Sequence, residues 1–225
     1  MTTIFQREFT CPVCGTTFLT EVIGSTNQFD IATDLKPLTA GVPFYPFLVH
    51  TCPNCYYSGS EEDFNLQIDE TTADRLRAEM EFWRQKLGPI EPAPAHSYML
   101  AAFCALILGK PHHVVGDLFL AASWCADDDS LTEFADHLRE EAVEHFKYAL
   151  ETGEAPRAER ARICYIIGEL LRRLGKDEEA RSFFERVKRE VVNPAEQEWL
   201  IKGAARQLSN PAERFGEFIR GDGLD

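Results

Sequence analysis

The chain has no run of roughly 18 apolar residues, which excludes a hydrophobic membrane-spanning helix. Met1 to Thr10 shows no basic stretch followed by an apolar core, so no secretory signal is expected. Cations are scarce where they would matter most. Across residues 1–65 only Arg7 and Lys36 stand against seven carboxylates, and the whole chain carries a formal net charge of −14. Binders of a phosphate backbone need clustered Lys and Arg, so nucleic acid is an unfavourable partner, and anionic membrane surfaces are disfavoured for the same reason. A serine elbow, a Walker loop, a dinucleotide glycine run and the HExxH order are all missing. No catalytic residue is assigned.

What remains is an ordinary globular composition, 44% hydrophobic and 27% charged, with seven cysteines. With no export signal, reduced thiols in a cytoplasm are the expectation, which favours metal ligation over disulfides. Four cysteines fall in two matched pairs, Cys11-Pro12-Val13-Cys14 and Cys52-Pro53-Asn54-Cys55. Each pair sits on a tight turn, and two such turns supply the four thiolates of a closed tetrahedral zinc site. Iron in a rubredoxin-like site suits the same sulfurs and is the alternative ion. A redox dithiol needs only one pair, so two matched pairs fit a closed site better. His50, two residues before Cys52, is read as a strand residue rather than a ligand.

Short β-prone runs flank each turn: Phe5 to Thr10 and Thr16 to Ile23 around the first, Phe47 to Thr51 and Tyr56-Tyr57 around the second. Two small hairpins facing each other across a metal are therefore expected. Between them lie 37 residues (15–51) that hold Pro37, Gly41, Pro43 and Pro46, the mark of an ordered excursion and not of another helix. Ser60-Glu61-Glu62-Asp63 has a capping-box pattern and closes the module.

Beyond residue 65 the apolar residues recur at helical spacing. Leu76, Met80, Trp83 and Leu87 define one helix, stopped by Gly88-Pro89, with a stiff connector at Glu91-Pro92-Ala93-Pro94. Tyr98 to Leu108 is apolar on nearly every side and belongs among other helices. Val114 to Ala126 is the next, broken by Asp127-Asp128-Asp129, which is read as an acidic, solvated turn. Leu131 to Ala149 makes a long stripe closed by Gly153. Pro156 opens a helix that Gly175 caps, and Asp177 opens the one after. Asn193-Pro194-Ala195-Glu196 and Asn210-Pro211-Ala212-Glu213 are two further start signals. Cys104, Cys125 and Cys164 on these helices read as small buried hydrophobes, and His112-His113 as a solvated turn.

One repeat is visible: Ala142, Phe146 and Ala149 recur as Ala180, Phe184 and Val187, each 38 residues later. Around the second copy, Gly168, Gly175, Ala180 and Phe184 fall where a tetratricopeptide repeat places its small and packing residues. The first copy departs from that pattern, with its turn stretched by the aspartate run. In such a hairpin the first helix turns Arg162, Tyr165, Glu169, Arg172 and Arg173 to the concave side, a face suited to an acidic segment or a carboxylate of a protein or peptide partner.

The two motifs in this order resemble a bacterial family known as a domain of unknown function, number 2225. The resemblance rests on Cys11 to Phe18, on Cys52 to Tyr57 and on Leu118-Phe119-Leu120-Ala121-Ala122-Ser123-Trp124 ahead of the repeat-like helices. A glycine is common after the last family cysteine, and Tyr56 holds that place here. The resemblance implies a fold and no reaction. The fold expected is α+β, mainly α: a zinc-ribbon-like module over 1–65, then a tetratricopeptide-like array of helical hairpins over 66–225. The function expected is a cytoplasmic scaffold or adaptor whose zinc is structural. An enzyme with its site in a cleft between the modules is the rival reading, and a nucleic-acid-binding ribbon is weaker on charge.

Overall fold

The structure, a computed structural model, describes residues 2–88 and 92–215. It is an α+β fold, mainly α, with a small antiparallel β region followed by seven helices. Strand β1 (Thr3–Thr10) pairs with β2 (Thr17–Ser25) through a register that sets Phe9 opposite Phe18 and Phe5 opposite Val22. Side chains alternate across a strand, so Phe9, Phe18 and Val22 share one face. That face packs on His50 and Phe64. The excursion is ordered as expected. It forms a second hairpin, β3 (Gln28–Ile31) with β4 (Pro37–Thr39), and a 3-10 turn over Tyr45–Phe47. Strand structure near the second cysteine pair is shorter than the sequence suggests, only β5 (His50–Thr51) against β6 (Ser58–Gly59). Asp63 then reaches back to the N–H and hydroxyl of Ser60 at 2.9 Å each, which is half of a capping box.

Helix α1 (Glu70–Leu87) begins where Asp69 accepts a bond from the Thr72 N–H at 3.1 Å, and it ends at Gly88. Pro89 and Glu91 lie outside the described residues, and Pro94 already opens α2 (Pro94–Ile107). The rest follow as α3 (His112–Asp128), α4 (Thr132–Thr152), α5 (Arg160–Arg173), α6 (Asp177–Glu190) and α7 (Pro194–Ser209). Pro156 does not start α5. It opens a single turn in which the Glu159 N–H bonds the Pro156 carbonyl at 2.8 Å. Pro211 to Phe215 is not helical, and the remainder of the short helix expected there lies outside the described residues.

The helices pair as hairpins, and their turns are copies of one another. After α2, α3 and α5 the chain passes through a left-handed residue, Gly109, Ser130 or Gly175, at φ 71°, 60° and 71°. In each case the next residue's N–H reaches back to close the helix: Lys110 to Ala105, Leu131 to Ala126, Lys176 to Leu171, all at 2.9 Å. These are Schellman caps. The aspartate run therefore does not stretch the turn, although Asp128 and Asp129 are exposed as expected. Asp127 and Asp128 belong to α3, Asp127 pairs with the buried Arg139, and Asp128 takes Lys36 and the Tyr45 hydroxyl.

The difference between the two hairpin copies lies in their arms. A Cβ placed on Gly168 would stand 2.8 Å from the Phe184 ring, and one on Gly116 would stand 2.8 Å from the Phe146 ring. Gly168 and Phe184 are 16 residues apart, Gly116 and Phe146 are 30. The additional 14 residues are one heptad in each arm, about two helical turns apiece.

Two apolar clusters result. The larger runs through α2 to α7. The smaller gathers Phe9, Cys11, Tyr57 and Phe64 of the β region onto Leu76 and Met80 of α1 and Leu100 and Cys104 of α2.

A candidate metal centre of four cysteines

Each cysteine pair is a turn of the same construction. The Cys11 N–H bonds the Thr16 carbonyl and the Gly15 N–H bonds the Cys11 carbonyl, both at 2.9 Å. The Cys52 N–H bonds Tyr57 and the Tyr56 N–H bonds Cys52, again at 2.9 Å. The residue after the second cysteine must adopt the left-handed backbone that closes the turn. Gly15 does so at φ 73°, and Tyr56 does so at φ 63°. A side chain there costs on the order of 1–2 kcal/mol. The tyrosine offsets that cost by burying its ring and donating its hydroxyl to the Gly88 carbonyl at 2.7 Å, which ties the turn to the end of α1.

The two turns bring Cys11, Cys14, Cys52 and Cys55 together, with all four sulfurs within 4.8 Å of one another. Cys11 Sγ lies 3.5 Å from Cys55 Sγ, and Cys14 Sγ lies 3.6 Å from Cys52 Sγ. Metal–sulfur bonds of about 2.3 Å in a tetrahedron separate neighbouring sulfurs by about 3.8 Å, so the donor set fits one ion. Left to themselves the sulfurs share protons. The Cys52 thiol is held well below its ordinary value because Cys11 and Cys55 hydrogen-bond it. Cys11 is pushed up, chiefly by its bond with Cys52. A divalent cation would replace those protons and neutralise the crowded thiolates.

The surroundings are built from residues whose roles the sequence did not announce. Arg77 of α1 donates to the Val13 carbonyl at 2.9 Å, pinning the first turn, while Asp74 holds the guanidinium at 2.7 Å. Only its helical spacing from Asp74 hinted at a fixed side chain. Thr16 Oγ1 lies 3.3 Å from Cys14 Sγ, in place to donate to a thiolate. His50 is not among the ligands: its ring stacks on Phe9 at 4.7 Å, its Nδ1 meets Thr20 at 3.3 Å, and burial lowers its basicity. Cys104, Cys125 and Cys164 are buried apart from the four sulfurs, and desolvation pushes their thiols up to about 12, 12 and 11. His112 is no solvated turn residue: its Nδ1 lies 2.8 Å from Nδ1 of His145, with the Tyr148 ring 4.1 Å away.

The five residues assigned to a concave face are placed as follows. Arg162 makes two 3.0 Å bonds to Asp117 of α3. Tyr165 and Glu169 are fully buried. Glu169 accepts from Thr33 at 2.7 Å, Arg172 at 2.8 Å, Arg173 at 3.1 Å and Gln207 at 2.9 Å. Arg172 and Arg173 also hold Glu213, at 2.8 and 3.0 Å. Around Tyr165, Glu169, Arg172 and Arg173 the face is thus covered by two segments of the same chain.

Fold and site together define a small two-turn cysteine module seated on an array of helical hairpins. The chain belongs to the family described as "Uncharacterized protein conserved in bacteria (DUF2225)", which matches residues 4–211. No curated protein matches it, and no solved structure does. Among the described residues no helix is long and apolar enough to cross a membrane.

Proposed function

We propose that this chain is a cytoplasmic interaction adaptor whose four-cysteine centre holds a structural zinc ion. The observation that carries the reading is the convergence of Cys11, Cys14, Cys52 and Cys55. Four thiolates fill a tetrahedral shell and leave no position for water or substrate, so the ion's work is to fold the module. Binding of this kind contributes about 10–16 kcal/mol in finger peptides near neutral pH, ample to order a β region with so small an apolar cluster of its own. Zinc is favoured over iron by the reduced, redox-neutral role that a folding staple requires. The acidic balance of the chain argues for protein partners and against nucleic acid. The partner surface is the α5 side together with Thr33 and Asp34 of the β region that the metal would order, where Arg172 and Arg173 already hold a carboxylate.

The test is affinity purification from a bacterial host at physiological salt, with the chain intact and with Cys52→Ser and Cys55→Ser. The reading expects a defined set of proteins recovered by the intact chain and lost with the variant. Recovery of nucleic acid in place of protein, or an identical protein set from both chains, would count against it.

A further inference from the structure

We infer that the α5–α7 face is a peptide-docking site of strand-addition type, occupied in this structure by the chain's own Ala212-Glu213-Arg214-Phe215, and that its outside partner is a segment with an acidic residue two positions before an aromatic one. This rests on the adaptor reading and gives it a surface and a ligand chemistry.

Each residue of the segment is held by a separate device. The backbone of Ala212 is clamped at both ends by the buried Gln207, whose Oε1 accepts from Ala212 N at 3.0 Å and whose Nε2 donates to Ala212 O at 2.9 Å. Glu213 spreads its two carboxylate oxygens over two guanidiniums, Oε1 on Arg172 at 2.8 Å and Oε2 on Arg173 at 3.0 Å. Arg214 pairs antiparallel with Ala32, with the Thr33 N–H bonded to the Glu213 carbonyl and the Phe215 N–H bonded to the Ile31 carbonyl, both at 3.0 Å. The segment thereby makes a single antiparallel bridge just past the end of β3, on the side away from β4. Phe215 enters an aromatic recess, 5.5 Å from the Trp199 ring and 5.9 Å from Tyr165. Gly203 opens that recess: a Cβ there would stand 3.2 Å from Phe215.

An amide clamp, a carboxylate fork, an edge strand and an aromatic recess in succession are the parts by which an extended peptide is read: main-chain bonds give affinity, and alternate side chains give specificity. The buried carboxylate beneath the segment has its own partners. Glu169 is satisfied by Thr33, Arg172, Arg173 and Gln207, none of them from the segment. The Glu213 side chain remains 61% exposed, while Ala212 is buried and Phe215 packs against the main apolar cluster, so the segment is held by its ends and presents its acidic residue outward. Four residues tethered just past the end of α7 compete at an effective concentration in the millimolar range, which keeps the face closed to weak binders and open to a better one.

The experiment uses the full chain and a fluorescent, acetylated and amidated peptide Asn-Pro-Ala-Glu-Arg-Phe. Binding is measured to the wild-type chain, to the chain with Glu213→Lys and Phe215→Ala, and to that double variant with Trp199→Ala added, each checked for an unchanged thermal transition. The inference expects the double variant to bind the peptide at least ten-fold more tightly than wild type, and Trp199→Ala to abolish the gain. Equal binding to all three, or binding to none, would overturn it, as would equal binding of a peptide with Glu and Phe replaced by Lys and Ala. If Trp199→Ala shifts the melt, Arg172→Gln is used in its place. Proteins captured from the host without peptide binding would leave the adaptor reading standing and remove this one. Peptide binding without any captured protein would do the reverse.

Discussion

At the scale of single residues, two side chains stand where the backbone asks for glycine, and they differ in what they gain. Ser130 closes the α3–α4 turn at φ 60° and is exposed, so nothing offsets the strain of its left-handed backbone. Ser130→Gly is expected to stabilise the chain by about 0.5 kcal/mol, a rise of roughly 1–2 °C in melting temperature for a chain of this size. A fall in Tm would contradict the assignment. Tyr56 carries the same strain inside the second cysteine turn, but its ring is buried and its hydroxyl is bonded. Tyr56→Gly should therefore destabilise, by roughly 2–3 kcal/mol, although glycine is the residue this turn geometry favours. Denaturant unfolding of the two variants side by side reads both signs at once. Phe184 and Phe146 show the converse arrangement, glycine chosen for closeness and not for dihedral freedom. Gly168→Ala and Gly116→Ala should each cost about 1–3 kcal/mol, because a methyl at 2.8 Å from a ring cannot be accommodated without moving a helix.

At the scale of elements, the hairpins are tied at their open ends by charge as well as by their caps. Glu190 at the end of α6 accepts from Arg160 at the start of α5 at 2.7 Å and from Arg186 at 2.9 Å. The Arg160 bond, with help from Arg186, draws its carboxyl down from 4.5 to about 2. A depressed carboxyl contributes stability that is complete above its unfolded value and lost as pH falls through the folded one. Glu190→Gln should thus cost on the order of 1 kcal/mol at pH 7 once solvent screening is allowed for. The gap from wild type should close as pH drops from about 4.5 toward about 2. A gap independent of pH would assign the loss to packing. Elements were legible in the sequence where a local signal coincided with the long-range one. Gly88, Gly153 and Pro194 mark helix ends because capping is decided within four residues. The aspartate run is exposed at Asp128 and Asp129, as its acidity predicts, but Asp127 and Asp128 extend α3 and take Arg139 and Lys36, partners that no local pattern shows. The glycine at position 116 went unread because its phenylalanine lies 30 residues away in place of 16.

For the whole molecule, the cysteines were readable because a metal centre is specified by residue type and spacing alone. What surrounds them was not, since Arg77, Tyr56 and Gly88 meet only after the helices pack. The same holds for the α5 face. Its arginines were visible in helical spacing, but the chain segments over them come from residues 32–34 and 211–215, distances no local pattern encodes. Metal removal should propagate through this arrangement unevenly. The β region shares its apolar cluster with α1 and α2, so stripping the ion should release amide protection over residues 3–65 and in part of α1, while α4 to α6 keep theirs. Hydrogen exchange before and after chelation measures it, and uniform loss across the chain would show one indivisible unit. The account turns on the ion itself, and elemental analysis of the reduced, natively purified chain addresses it directly. One equivalent of zinc per chain, lost together with Cys11→Ser or Cys52→Ser, is the predicted result. A chain free of metal yet fully folded, or one carrying stoichiometric iron, would contradict it.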